Sequence, residues 1–282
     1  MFWTVILSII CVLVALFAVV YIIALINKPK TVFADKPEEK NPVEGKKVEF
    51  VEDDRDDCNA DGVRGHLVIV GNSEIKESFY ANYVKRILDL IISFFGLVIL
   101  SPLFLIITLA IYFDDPGPIF FTQKRVGKNK KFFKLHKFRS MKMSTPHDKP
   151  THMLENPEQY ITKVGKFIRA HSLDEIPQIW DIFIGNMSIV GPRPALWNQY
   201  FLTAERDKYG ANEIKPGLTG WAQINGRDTL EIPEKAKLDG EYAAKQSFCI
   251  DAKCFFGTVS KVKGDSSVVE GNTKKEMEAV NK

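Results

Sequence analysis

Residues 85–113 read Lys-Arg-Ile-Leu-Asp-Leu-Ile-Ile-Ser-Phe-Phe-Gly-Leu-Val-Ile-Leu-Ser-Pro-Leu-Phe-Leu-Ile-Ile-Thr-Leu-Ala-Ile-Tyr-Phe, and the fold turns on how this run meets a membrane. Its apolar part, Ile87 to Phe113, is long enough to cross a bilayer core as a helix. The flanks speak against a simple crossing. Lys85 and Arg86 stand before it, and Lys124, Arg125, Lys128, Lys130 and Lys131 stand after it. Basic flanks favour the cytoplasmic side, so a straight span violates that tendency at one end. Near the middle stands Ser101-Pro102, where proline removes a backbone donor and clashes with the preceding turn. A helix-break-helix hairpin that enters and leaves by one leaflet satisfies both flanks, and a proline-kinked span is the competing reading.

Upstream, Phe2 to Ile26 is a second apolar segment of spanning length. A cleaved signal peptide competes with a transmembrane helix here, but no basic region precedes the run and no small-residue cleavage site follows it. Lys28 and Lys30 put its C-terminal side in the cytoplasm. Residues 28–82 are rich in Asp, Glu and Lys, with Pro37, Pro42, Gly45, Gly62 and Gly65 as punctuation, and read as a charged linker. Val48 to Val51 and His66 to Val70 are its two short strand candidates. The scattered cysteines, Cys11, Cys58, Cys249 and Cys254, have no metal-ligand spacing and read as free thiols in a reducing compartment.

At 282 residues, 45% hydrophobic and with a net charge of +3, the chain holds one ordinary domain plus membrane-associated pieces. The charge is unevenly spread: Lys124 to Lys142 holds nine Lys and Arg and no carboxylate. Following an apolar segment, such a block suits lipid headgroups or phosphate better than nucleic acid. From Asp114 onward the pattern is mixed. Ile119 to Gln123 and Phe132 to Phe138 are strand candidates, and Ile161 to His171, Ile176 to Ile184 and Pro194 to Tyr209 look helical.

Ser172-Leu-Asp-Glu175 has two readings. As Ser-x-x-Glu it is a capping box, which makes its carboxylates structural. With Asp174 at a helix start, orphan amides and the helix dipole keep the carboxylate ionised and also favour a bound phosphate, and an ionised aspartate is a competent nucleophile toward phosphorus. Arg169, Arg193 and Arg227 offer bidentate contacts to phosphate oxygens. Gly191-Pro-Arg-Pro194 fixes one of them in a rigid turn, and Pro216-Gly-Leu-Thr-Gly220 is a second turn whose glycines let backbone approach a ligand closely.

Taken in order, Lys85-Arg-Ile-Leu-Asp89, Ser101-Pro102, Gly117-Pro118, Gln123-Lys-Arg-Val-Gly127, Phe138-Arg-Ser-Met141, Thr162-Lys-Val-Gly165, Leu173-Asp-Glu-Ile-Pro-Gln178, Gly185-Asn-Met-Ser-Ile-Val-Gly-Pro-Arg-Pro194 and Pro216-Gly-Leu-Thr-Gly-Trp-Ala-Gln-Ile-Asn-Gly-Arg227 resemble the bacterial sugar transferase family, over about residues 80 to 264. The members are monotopic phosphoglycosyl transferases. The resemblance implies transfer of a sugar-1-phosphate from a UDP-sugar to undecaprenyl phosphate, with release of UMP and Mg2+ as cofactor. That reaction would open exopolysaccharide, capsule, O-antigen or glycoprotein glycan assembly. Asp174 matches the family nucleophile and metal-side carboxylate, Glu175 the second acid of the dyad, and Arg169 and Arg193 the arginines on phosphate, while Ser101 and Pro102 match the helix break.

The expected fold is α+β: a small mixed membrane-associated domain with a re-entrant hairpin and amphipathic interfacial helices, plus an N-terminal transmembrane helix. Its divisions are a transmembrane helix at 1–27, a charged cytoplasmic linker at 28–82, a membrane hairpin at 83–113, a catalytic domain at 114–264 and a polar tail at 265–282. The expected partners are a UDP-sugar, undecaprenyl phosphate and membrane lipid, without nucleic acid, together with a homo-oligomer or downstream glycosyltransferases. The expected place is the bacterial inner membrane, with the catalytic domain on its cytoplasmic face. Two rivals predict differently: a polyprenyl-phosphate glycosyltransferase releases UDP rather than UMP, and a non-catalytic scaffold for polysaccharide assembly uses the acidic pair only as a cap.

Overall fold

The apolar run is a single helix, α1 (Lys85–Asp114), entered through a π-helical turn at Tyr80–Val84. It is part of a computed structural model that describes residues 40–73, 78–145, 157–226 and 230–264. Buried positions on α1 recur every three or four residues from Lys85 through Asp89, Ser93, Leu97, Ser101 and Phe104 to Ile111, so one stripe faces protein. The opposite face carries Ile87, Phe95, Ile99, Ile106 and Phe113, which are 56% to 78% exposed. Among the described residues, Tyr80–Asp114 is the one helix long and apolar enough to cross a membrane.

The expected break at Ser101-Pro102 does not divide this helix in two. Pro102 has no hydrogen to give the carbonyl four residues back, that of Val98, and Ser101 Oγ donates to the same oxygen at 2.7 Å. The hydroxyl stands in for the missing amide, and the helical run continues.

Both ends of α1 are tied to the same body. Before it in the chain lie β1 (Lys46–Glu52) and β2 (Gly65–Asn72); after it come β3 (Phe120–Val126), β4 (Phe132–Phe138), α2 (Lys163–Ala170), a 3-10 turn at Leu173–Glu175, α3 (Gln178–Ile184), β5 (Ser188–Val190), α4 (Tyr200–Asp207), β6 (Gly217–Thr219), α5 (Trp221–Asn225), α6 (Ile232–Ala244) and α7 (Phe248–Gly264). At the start of α1, Arg86 donates to the carbonyls of Ile182 and Phe183 at 2.7 Å each and so caps the end of α3. One turn on, Asp89 accepts from Ser188 Oγ and Ile189 N at the start of β5. At the far end, Asp114 accepts from Val164 N in the first turn of α2 at 2.8 Å. Between these points Leu97, Phe104, Ile107 and Ile111 share a core with Ile119, Phe138 and Ile168, and Phe138 lies 5.3 Å from both Phe104 and Phe120, ring centre to ring centre.

The mixed class is as expected, and among the described residues the strands form three two-stranded sheets: β1-β2 and β3-β4 antiparallel, β5-β6 parallel. Strand β4 coincides with its expected range, while the helices are shorter than expected, the third starting at Tyr200 instead of Pro194. The N-terminal apolar segment, the tail from 265 and Arg227 lie outside the described residues.

Within the charged segment 28–82, both strand candidates are strands, Val48 to Val51 inside β1 and His66 to Val70 inside β2, and they pair as a hairpin docked on α4. Val48 N donates to Asp207 at 2.8 Å, Phe50 meets Phe201 edge-on at 5.4 Å, and Asp61 accepts from Leu202 N at 3.1 Å. Lys130, expected on the surface with the rest of the basic block, is fully buried. Its ammonium donates to both Asp207 oxygens at 2.8 and 3.0 Å and to Ser73 Oγ at 3.1 Å. Charge density in the sequence was misleading here because the charges pair internally. The cysteines agree with the sequence reading: Cys58, Cys249 and Cys254 are free thiols.

Removing one partner of a buried ion pair strands the other without compensation, at about 3–5 kcal/mol. Lys130→Ala should therefore lose roughly that much stability in denaturant unfolding and speed proteolytic cleavage within 46–72. A loss below about 1 kcal/mol would contradict the burial of the pair.

Candidate active site

The turn that carries Asp174 is positioned from two sides. On one side, Thr162 caps α2 by accepting from Gly165 N at 2.8 Å, and Thr162 N donates to Ser140 O at 3.1 Å. A Cβ on Gly165 would stand 1.9 Å from Ser140 O, so only glycine lets α2 lie against the Phe138-Arg-Ser-Met141 backbone. Helix α2 then carries the half-buried Arg169 in its last turn. The chain reverses through Ser172, which is left-handed at φ 54°, into the 3-10 turn Leu173–Glu175, and Pro177 opens α3. On the other side, Arg86 holds the end of α3, as described above.

A capping box is not formed. Ser172 makes no side-chain cap bond, and the Glu175 carboxylate turns away from it. Glu175 Oε1 accepts from Lys137 Nζ on β4 at 2.8 Å and from an Arg193 terminal nitrogen at 2.9 Å. Burial works against ionisation of this carboxyl, but Arg193 and Lys137 outweigh it and hold Glu175 well below the usual carboxylate range. Asp174, its neighbour, is buried at 9% exposure.

Arg193 is presented by a turn braced backbone to backbone. Gly191 N donates to Thr219 O at 2.8 Å and Gly217 N to Pro192 O at 2.9 Å, extending the β5-β6 pairing. A Cβ on Gly217 would lie 2.1 Å from Gly191 N, and one on Gly220 2.1 Å from Gly191 O. The glycines of Pro216-Gly-Leu-Thr-Gly220 therefore let this turn approach the arginine turn, where the sequence reading had them approach a ligand. Arg125 adds a side-chain brace, donating to Pro194 O at 2.9 Å and to Gln123 Oε1 at 2.6 and 3.2 Å. Burial, and after it the nearby Arg193, pushes Arg125 down to about 9, still charged at neutral pH.

The structure thus brings Glu175 and Arg193 into contact and sets Asp174 beside them in the chain. Sequence reasoning missed Lys137 and Arg125 as individuals. Both lie in the basic block, and Arg125 falls inside a quoted motif, but spacing alone did not distinguish them from Lys130. Two cations, Lys137 and Arg193, pair with the one Glu175 carboxylate and a third, Arg125, lies near enough to feel both charges, an arrangement suited to holding further anionic oxygen.

Residues 80–265 match the family model described as bacterial sugar transferase. The chain belongs to the bacterial sugar transferase family. Its similarity to the UDP-glucose:undecaprenyl-phosphate glucose-1-phosphate transferase of Escherichia coli strain K12 is 40% identity over 185 residues, covering 63% of this chain and 40% of the relative. It is also 37% identical over 189 residues to the uncharacterized sugar transferase EpsL of Bacillus subtilis strain 168, covering 67% of this chain and 92% of the relative. The exopolysaccharide production protein ExoY of Sinorhizobium fredii is 34% identical over 192 residues, with 63% and 84% covered. The chain spans about two fifths of the length of the Escherichia coli relative. The matched region of this family member begins at Tyr80, so the docked hairpin at 46–72 lies outside it.

A carboxyl whose pKa lies below its unfolded value binds fewer protons when folded, so Glu175 stabilises fully at neutral pH. That contribution should be lost as pH falls below the ordinary glutamate value of 4.5. Thermal midpoints between pH 3 and 7, scanned at about one-unit steps, should fall less steeply in acid for Glu175→Gln than for the wild type. Parallel curves would argue that Lys137 and Arg193 do not hold Glu175 ionised.

Proposed function

We propose that this chain transfers a sugar-1-phosphate from a UDP-sugar to undecaprenyl phosphate, giving undecaprenyl-diphosphate-sugar and UMP. The observation that carries the reading is the division of labour in the acidic pair: Glu175 is committed to Lys137 and Arg193, and Asp174 is buried next to it at a helical turn. Carboxylates in such different surroundings suit different tasks. In the first step an Asp174 oxygen bonds to the β-phosphorus as the bond from that phosphorus to the UMP oxygen breaks. In the second, a phosphate oxygen of undecaprenyl phosphate attacks the same phosphorus and releases Asp174. Arg193, steered by Glu175, and Arg169 would hold the phosphate oxygens in line.

Mg2+ is commonly held by one or two carboxylates together with substrate phosphates, and Asp174 is a donor of that kind. Glu175, already engaged by two cations, is the poorer ligand. When bound, the ion would offset the repulsion between a carboxylate and a diphosphate and stabilise the leaving phosphate.

For topology we infer that α1 enters and leaves by one leaflet as an unbroken helix that bends at Ser101-Pro102, with the catalytic body on the cytoplasmic face of the inner membrane. Support comes from the anchoring of both its ends to that body. The exposed Phe248 and Phe256 on α7 supply further apolar surface of the kind an interfacial helix uses. The glucose named for the Escherichia coli relative makes UDP-glucose the first donor to try.

With UDP-glucose and undecaprenyl phosphate, membranes holding the protein should release UMP; release of UDP would instead support a glycosyltransferase. Asp174→Asn should abolish both UMP release and the phosphosugar adduct that intact-protein mass spectrometry detects without acceptor. An adduct on the Asp174→Asn protein removes Asp174 as nucleophile.

Single cysteines at the exposed position 82, just before Lys85, and at position 128, in a background without native cysteine, test the topology. Both should react with an impermeant thiol reagent only from the cytoplasmic side. Labelling of position 128 from outside would make α1 a straight span and contradict the one-leaflet arrangement.

A further inference from the structure

Away from the phosphate-facing residues, Asp251 on α7 is the hub of a buried polar cluster at the base of α1. Its Oδ2 accepts from Tyr80 OH at 2.8 Å and pairs with the Lys85 ammonium. Its Oδ1 accepts from Tyr242 OH on α6 at 2.6 Å. Lys85 also sits 5.8 Å from the centre of the Tyr242 ring. Tyr242 is 1% exposed, and burial first, then the Asp251 carboxylate, pushes its phenol far up, so it stays a neutral donor. The same phenol oxygen lies 3.2 Å from the carbonyl oxygen of Val190. A phenol has one hydrogen, so the Asp251 oxygen at the shorter distance takes it and Val190 O is the alternate acceptor.

Val190 is the last residue of β5 and leads directly into Gly191-Pro-Arg-Pro194. It is buried with Tyr242 and Cys254 in one core cluster. Helix α7 also reaches the partner strand: Thr258 Oγ1 lies 2.5 Å from Thr219 Oγ1, at the end of β6. One helix thus touches both strands whose ends form the arginine turn and its brace. Nothing in the phosphoryl chemistry uses Asp251, and a carboxylate largely withdrawn from water, at 13% side-chain exposure, is costly unless it is paired. Three donors from two segments, Tyr80 and Lys85 at the entry to α1 and Tyr242 on α6, converge on it from α7, which fixes these three elements relative to one another.

We propose that Asp251 is a positioning residue: it holds the Tyr242 phenol, whose ring packs against Val190 at the end of β5, and so fixes that strand end against the base of α1 and sets where Arg193 stands over the phosphates. This rests on the transferase reading above. A displacement of about 1 Å in a group that orients substrate can cost on the order of a hundredfold in rate. Asp251→Asn keeps the shape, loses the charge that Lys85 and the two phenols pair with, and should lower kcat by roughly ten- to a hundredfold.

A double-mutant cycle tests the route. UMP release with UDP-glucose and undecaprenyl phosphate is measured for the wild type, Asp251→Asn, Arg193→Lys and the double variant, alongside thermal midpoints. If Asp251 acts through Arg193, its substitution should cost less than about twofold in the Arg193→Lys background, because the group it positions is already altered. A merely structural loss reduces the active fraction equally in both backgrounds, so multiplicative losses overturn the proposal. Should Asp251→Asn fail to fold, Tyr242→Phe keeps the ring, removes the hydroxyl, and enters the same cycle with the same two outcomes. A wild-type protein that releases no UMP from a panel of UDP-sugars overturns the transferase reading and this role with it, whereas an active wild type with multiplicative losses overturns only the positioning role.

Discussion

The structure depends on the way one apolar helix is gripped at both ends by a single polar body. At about 1.5 Å per residue, the 30 residues of α1 would measure roughly 45 Å if straight, against a hydrocarbon core of about 30 Å. Yet Arg86 and Asp89 at one end and Asp114 at the other bond to neighbouring elements of the same unit. The one-leaflet path proposed for α1 keeps both anchors with the body they bond to, where a crossing path would part them at several kcal/mol per unsatisfied polar group. Hence the patch at Ser101 matters: with Val98 O satisfied locally, the helix can pass proline without exposing a carbonyl to hydrocarbon.

The same gripping turn organises the site. Arg86 closes the end of α3, the helix that follows the acidic pair, and Asp89 receives the start of β5, the strand that precedes the arginine turn. One helical turn therefore fixes both arms of the site, and the Glu175–Arg193 contact closes the loop between them. Geometry and electrostatics reinforce each other. Glu175 stays ionised because Arg193 and Lys137 face it, and Arg193 is oriented because Glu175 is ionised.

Much of this was legible in the sequence, and the part that was not has physical causes. Asp174, Glu175 and Arg193 could be singled out because local spacing around a turn carries their signal, and β4 was readable from its aromatic content. The continuity of α1 was not legible. Proline argues for a break, and only the rotamer of Ser101 shows that its hydroxyl meets the orphaned carbonyl. Nor could spacing separate Lys130 from Lys128 or Lys131, since its partner Asp207 is 77 residues away. Lys137 was hidden for the same reason: its partner Glu175 is 38 residues distant and reaches β4 only through the packing of the 3-10 turn.

The hairpin at 46–72 extends this reasoning beyond the family's matched region. An isolated two-stranded hairpin is marginal in water, so β1 and β2 owe their order to what they dock on. They dock on α4, and the contacts are specific. Asp61 satisfies Leu202 N near the start of that helix, Ala60 N donates to Asn198 O in the loop before it, and Asp207 near its end is shared by Val48 N and Lys130. That loop leaves Gly191-Pro-Arg-Pro194 directly. The segment after the arginine turn is thereby held by residues outside the family's matched region, just as the strand before the turn is held by α1 and α7. Charge that marked this segment as a linker is in part the means by which it is fastened to the transferase body.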